Sequence, residues 1–132
     1  MNLSDWLDDT DALAALDAAY AAAWASTDAE LLALCRDRIA MLLRHGPTVE
    51  AMTDDDRREL SRWATSATFT DRERAALDFT EQYVVDVAAM SDEQAGRLRE
   101  HLGDEELVSF VNAILVLEQR MTLELAFAGV LP

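Results

Sequence analysis

Residues 70–79, Thr70-Asp71-Arg72-Glu73-Arg74-Ala75-Ala76-Leu77-Asp78-Phe79, decide the fold class. A threonine three residues ahead of a glutamate can accept from a free backbone N–H of a helix's first turn, while the glutamate reaches back to the threonine's own N–H. Thr70 and Glu73 therefore mark a helix start. Beyond them Ala76, Phe79, Tyr83 and Val87 recur at helical spacing, which predicts a helix from about Asp71 to Ala89 with Asp78, Glu81 and Gln82 facing outward. The same start signal recurs at Thr27 to Glu30, Thr53 to Asp56 and Ser91 to Gln94. Only four glycines and two prolines interrupt the chain, and the segments between them carry helical rather than alternating apolar spacing. The chain is predicted to be all-α.

Upstream, a helix is predicted from about Asp9 to Ala25, with Leu13, Leu16, Tyr20 and Trp24 along one side. A second runs from about Asp28 to His45, carries Leu31, Cys35, Ile39 and Leu42 on one stripe, and stops at Gly46-Pro47. There glycine takes the left-handed position and proline cannot continue the helix. A third covers about Asp54 to Thr65, and downstream a short helix covers Asp92 to Leu102 and ends at Gly103. The last, about Asp104 to Ala128, has Leu107, Val108, Phe110, Val111, Ile114, Leu115, Leu117, Met121, Leu123, Leu125 and Phe127 around nearly its whole circumference. A helix apolar on all sides must be covered on all sides, so it is expected both to form the core and to contribute to a subunit interface. The expectation is about six helices in one domain over residues 1–132, assembled into a homo-oligomer.

Composition narrows the function classes. With 26 acidic and 11 basic residues, all of the latter arginine, the net charge is −15. A chain this acidic is repelled by phosphate backbones and anionic lipid, so no nucleic-acid or membrane partner is expected. A single cysteine, Cys35, excludes an intramolecular disulfide, a CxxC pair and a cysteine-rich zinc site. The N-terminal residues show neither a basic region nor an apolar run of the kind that opens a secretory signal, and the longest apolar run, Ala113 to Leu117, is far too short to span a bilayer. A cytoplasmic location is expected, with no metal and no cofactor.

Few residues carry chemistry. Asp54-Asp55-Asp56 lacks the alternating spacing of a calcium loop and fits a helix start loaded with anions. Cys35 lies on an apolar stripe, as a structural thiol would. His45, at the end of its helix, reads either as a cap on free carbonyls or as a general base at a pocket mouth. His101 has the same capping account. Glu118 and Arg120 interrupt the most apolar helix, so they either form ion pairs, for instance Glu118 with Arg38, or line a ligand site.

Four blocks in this order, Leu34 to Leu43 reading LCRDRIAMLL, Ser66 to Phe79 reading SATFTDRERAALDF, Leu98 to Val111 reading LREHLGDEELVSFV, and Glu118-Gln119-Arg120, resemble the carboxymuconolactone decarboxylase and alkyl hydroperoxidase D (AhpD-like) superfamily. The resemblance covers roughly residues 30 to 125. It implies an all-α fold built around a helical hairpin and assembled into dimers, trimers or hexamers. In the family's peroxidase branch a CxxC pair opens the helix after the hairpin turn, with a glutamate one helix earlier and a histidine just downstream. The two cysteine positions fall on His45 and Thr48, the glutamate position on Ala33 and the histidine position near Met52. All four differ, so the resemblance implies the fold without the thiol chemistry.

Three function classes follow. In the first, a non-redox enzyme of lyase or decarboxylase type acts on a small organic acid or oxygenated metabolite. Its candidate catalytic residues are His45 and Glu118, and its candidate substrate-binding residues are Arg38, Tyr83 and Arg120. In the second, the chain is a catalytically silent structural, regulatory or small-molecule-binding paralogue, which can assemble with a paralogous subunit. Arg38 and Arg120 both consumed by ion pairs would favour it. In the third, the acidic surface docks a basic partner.

Overall fold

In the computed structural model, which describes residues 3–8 and 10–130, the start signal at Thr70 is made in full. Thr70 Oγ1 accepts from the Glu73 N–H at 3.1 Å, and Glu73 Oε1 accepts from the Thr70 N–H at 2.9 Å. The helix it opens is one of a set with no strand among the described residues: α1 (Leu3–Leu7), α2 (Asp11–Ser26), α3 (Ala29–Leu43), α4 (Gly46–Glu50), α5 (Asp54–Ser61), α6 (Asp71–Asp86) and α7 (Asp92–Val130). A 3₁₀ turn, Val87–Ala89, closes α6. Thr53 and Ser91 cap α5 and α7 as predicted. Upstream of α3 the cap is Asp28 rather than Thr27, since its carboxylate accepts from both Glu30 N–H and Leu31 N–H. Those bonds favour the ionised form, the Leu31 N–H most, and hold the Asp28 carboxyl below its usual range.

The core forms where α3, α6 and α7 meet. Leu31, Leu32, Cys35 and Ile39 from α3, Ala76, Leu77 and Phe79 from α6, and Leu98, Phe110, Ala113, Ile114 and Leu117 from α7 are all buried. Alanine-rich α2 lies along α7, with Tyr20 and Trp24 against the same core. Cys35 is fully buried, and burial pushes its thiol up to about 12, so the lone cysteine is structural.

Two expectations change, and one at Gly103 holds. First, α3 ends two residues before His45, and its left-handed residue is Arg44 (φ 59°, ψ 44°), not Gly46, which opens α4. The His45 N–H donates to Ala40 O at 2.8 Å and the Arg44 N–H to Met41 O at 3.4 Å, the paired bonds of a Schellman turn. A side chain at positive φ is strained, so Arg44→Gly is expected to raise stability by about 0.5–1 kcal/mol in urea unfolding.

The predicted stop at Gly103 is made: α7 is two helices that meet at a kink there, where a φ of 73° and ψ of 172° belong to a region that essentially only glycine occupies. No heavy atom lies within 4 Å of a Cβ placed there, so the constraint is backbone strain rather than space. Gly103→Ala is expected to cost about 1–3 kcal/mol by denaturant unfolding, while Gly96→Ala, helical and equally open, should be neutral or stabilising.

Second, the long helix is not apolar all round. Val108, Asn112, Leu115, Gln119, Thr122 and Ala126, spaced alternately by four and three residues, form an exposed stripe opposite buried Phe110, Ala113, Ile114, Leu117 and Met121. Its polar residues share that stripe with three apolar ones, which the residue count alone did not separate. No helix among the described residues is long and apolar enough to cross a membrane.

Candidate acid/base site around His45

The Schellman turn at the end of α3 decides where His45 points. Because backbone N–H groups already satisfy the last carbonyls of α3, the imidazole has no capping to do, and it makes no side-chain cap on α4 either. It is buried, and turns toward α7. His45 Nε2 lies 2.6 Å from Glu124 Oε2, and His45 Nδ1 lies 2.9 Å from Thr48 Oγ1. An ionised carboxylate only accepts, so the contact suits the tautomer with its proton on Nε2, and in that tautomer Nδ1 accepts the Thr48 hydroxyl proton. The bland reading of His45 as a carbonyl cap is thereby replaced.

Glu124 is itself anchored. Arg120, one turn earlier on α7, places Nε 3.6 Å from Glu124 Oε1 and forms an ion pair with Asp17 of α2, Nη2 to Oδ1 3.1 Å. Its guanidinium carbon also sits 4.5 Å from the centre of the Tyr20 ring. Three elements, α2, the α3–α4 turn and α7, thus converge on one polar chain in an otherwise apolar contact.

Thr48 connects that chain to solvent. It lines a cleft of about 410 Å³ together with Tyr20, Arg36, Ala51, Met52 and Asp56. Arg36 brings a cation to the cleft, bonded through Nε and Nη2 to Asp37 Oδ1 at 3.2 and 3.1 Å. Burial raises the Asp37 carboxyl above its ordinary value, against the pull of Arg36.

The remaining predicted site residues lie elsewhere. Arg38 donates to Glu81 Oε1 at 2.9 Å, Trp63 donates to Glu81 Oε2 at 2.6 Å, and both Arg38 and Trp63 line a separate cleft of about 600 Å³. The suggested Glu118–Arg38 pair is not made. Glu118 instead accepts from the Thr122 hydroxyl at 2.9 Å, and it faces Tyr83, whose phenol is pushed up by burial first and by the Glu118 charge second. Tyr83 stacks on Phe79 with ring centres 6.5 Å apart. Of the five predicted residues His45 and Arg120 are joined through Glu124, which was absent from the predicted set, and Glu118 and Tyr83 meet separately. Six residues separate Glu118 from Glu124, about 600° of helical rotation, so the two carboxylates cannot share a face. The available signal was Arg120-x-x-x-Glu124, an i, i+4 pair inside an apolar helix.

Asp54, Asp55 and Asp56 fill the first turn of α5, as the macrodipole reading expected. Among the described residues no group of three or more histidine, cysteine, aspartate or glutamate side chains is arranged to hold a metal ion.

No family model matches the chain, and no curated protein matches it significantly. Among solved structures it is similar to the crystal structure of a protein of unknown function from Agrobacterium tumefaciens, for which the antioxidant defence protein AhpD is the suggested identity. The TM-score is 0.83 at 20% sequence identity, over 100% of this chain and 97% of that one. At that identity the likeness speaks for the fold, and it agrees with the blocks at residues 69–79 and 103–111: the chain has an AhpD-like all-helical fold.

Proposed function

We propose that this chain is a non-redox acid/base enzyme of lyase or decarboxylase type acting on a small organic acid or oxygenated metabolite. The observation that carries the reading is the 2.6 Å His45–Glu124 pair, which fixes the imidazole tautomer with its basic nitrogen turned toward a cleft-lining hydroxyl. A buried histidine oriented by a carboxylate is a recurring arrangement for proton transfer. Glu124 takes the role first considered for Glu118. Arg38 and Arg120 are held by Glu81 and by Asp17 with Glu124, and Arg36, the cation on the cleft wall, is itself paired with Asp37.

Those same ion pairs favour a second reading, a silent scaffold or small-molecule-binding paralogue. The two separate in one experiment: incubation of the protein with a panel of small carboxylic acids, esters and other oxygenated compounds, followed by proton NMR. Turnover of a panel member that stops in His45→Ala supports the enzyme. Resonance shifts of the Thr48 and Arg36 cleft without turnover of any compound would overturn it in favour of a binding module.

We also propose a homo-oligomer in the cytoplasm, possible partners including a paralogous subunit. Support comes from Val108, 70% exposed, and Leu115 on the outer stripe of α7. Sedimentation at micromolar concentration is expected to give more than the 14.7 kDa of one chain, and a strictly monomeric species would contradict it.

A further inference from the structure

Burial of His45 raises the question of which group meets a substrate. Only 7% of the residue is exposed, and it does not form part of the cleft wall, whereas Thr48 does. The Thr48 hydroxyl lies 2.9 Å from Nδ1 of the imidazole and Nε2 lies 2.6 Å from the Glu124 carboxylate, so in the tautomer with its proton on Nε2 the hydroxyl donates to Nδ1. A nucleophile, a base and a group that orients the base, in that order, is the chain of contacts covalent acyl transfer requires.

Resting on the reading of His45 as the base, and replacing the lyase step with hydrolysis, we infer that Thr48 is a nucleophile and that the substrate class is a small neutral carboxylic ester. Thr48 Oγ attacks the ester carbonyl as its proton passes to His45 Nδ1, and the tetrahedral adduct collapses with cleavage of the bond to the alkoxy oxygen. That oxygen leaves as the alcohol, taking the proton from Nδ1. Water then adds to the acyl-Thr48 carbonyl with His45 again accepting a proton, the acyl–Oγ bond breaks, and Thr48 recovers its hydrogen. The products are one alcohol and one carboxylic acid, with no change of oxidation state. Glu124 does not touch the substrate; it is a positioning residue that keeps Nδ1 free of its proton. Neutrality of the ester follows from the wall itself, where the Arg36 cation is already paired with Asp37 and Asp56 adds a further negative charge. The product acid, ionised at neutral pH, is repelled by that wall, which favours release.

The test uses the full-length protein and p-nitrophenyl acetate in stopped flow, with mass spectrometry of quenched samples. The expected result is a burst approaching one equivalent of p-nitrophenolate, with one acetyl group on the peptide that contains Thr48. Thr48→Val should abolish both and lower the steady rate at least about tenfold, whereas Thr48→Ser should retain the burst, which separates loss of the hydroxyl from loss of the fold. A burst that persists in Thr48→Val, or acetyl found on another residue, would overturn the nucleophile. So would wild-type turnover with no covalent species, and if that turnover still falls in His45→Asn, the acid/base reading survives while the acyl-Thr48 step does not. Absence of any turnover or acetylation in the wild type overturns the ester assignment.

Discussion

Replacing His45 by alanine is expected to lower kcat/KM about 10²–10⁴-fold, the range a positioned proton acceptor contributes, with the helical circular dichroism unchanged. The imidazole lies at a junction rather than within the apolar cluster, and its removal leaves Glu124 still facing Arg120 and Arg120 still bonded to Asp17. No charge is therefore stranded, and the fold should survive. His45→Asn, which keeps a polar side chain beside Thr48 and Glu124, should be equally inactive if proton transfer is what is lost. A variant within twofold of wild type would remove His45 from the chemistry.

The second large effect belongs to stability. Phe110 is fully buried where α6 meets α7, with its ring 6.3 Å from that of Phe79 and tilted by 60°. Phe110→Ala removes a whole ring from a close-packed junction whose neighbours belong to two different helices and cannot both move in. The expected loss is about 3–5 kcal/mol, a large share of the roughly 5–15 kcal/mol that holds a domain together. Thermal unfolding should shift down by roughly 10–20 °C for a chain of this size. A loss under about 1 kcal/mol would mean that the α6–α7 contact is not the centre of the core. Val108→Ala, on the exposed stripe of the same helix, should be nearly silent in a monomer and matter only if a second chain covers it.

What could be read from the sequence was local. The caps at Thr53, Thr70 and Ser91 depend on residues three apart, and apolar periodicity is visible wherever a helix runs for several turns. The five-residue α1 and α4 were missed because so short a helix cannot display a period. Asp28 and Thr27 are adjacent and equally suited to cap α3, and only backbone geometry selects the carboxylate. Arg44 took the left-handed position expected of Gly46 because the Schellman bonds to Ala40 and Met41 outweigh the strain of its Cβ.

The site was legible only in half. His45 and Arg120 stood out as polar groups in apolar company, but the pairing that gives His45 a role spans 79 residues. Nothing in the local pattern distinguishes Glu124 from Glu118 as its partner until α7 is laid against the α3–α4 turn. Thr48, the group on the cleft wall, was noticed only as a position where the resembling family carries cysteine.

The tautomer of His45 tests the whole account without knowledge of any substrate. Nitrogen-15 NMR of the histidine rings, on wild type and His45→Asn for assignment, should show at pH 8 a protonated, pyrrole-type Nε2 and an unprotonated, pyridine-type Nδ1 for His45. Glu124→Gln should redistribute that proton. A ring protonated on Nδ1 with a bare Nε2, unaffected by Glu124→Gln, would mean that Glu124 does not orient His45 and that Thr48 has no base to donate to.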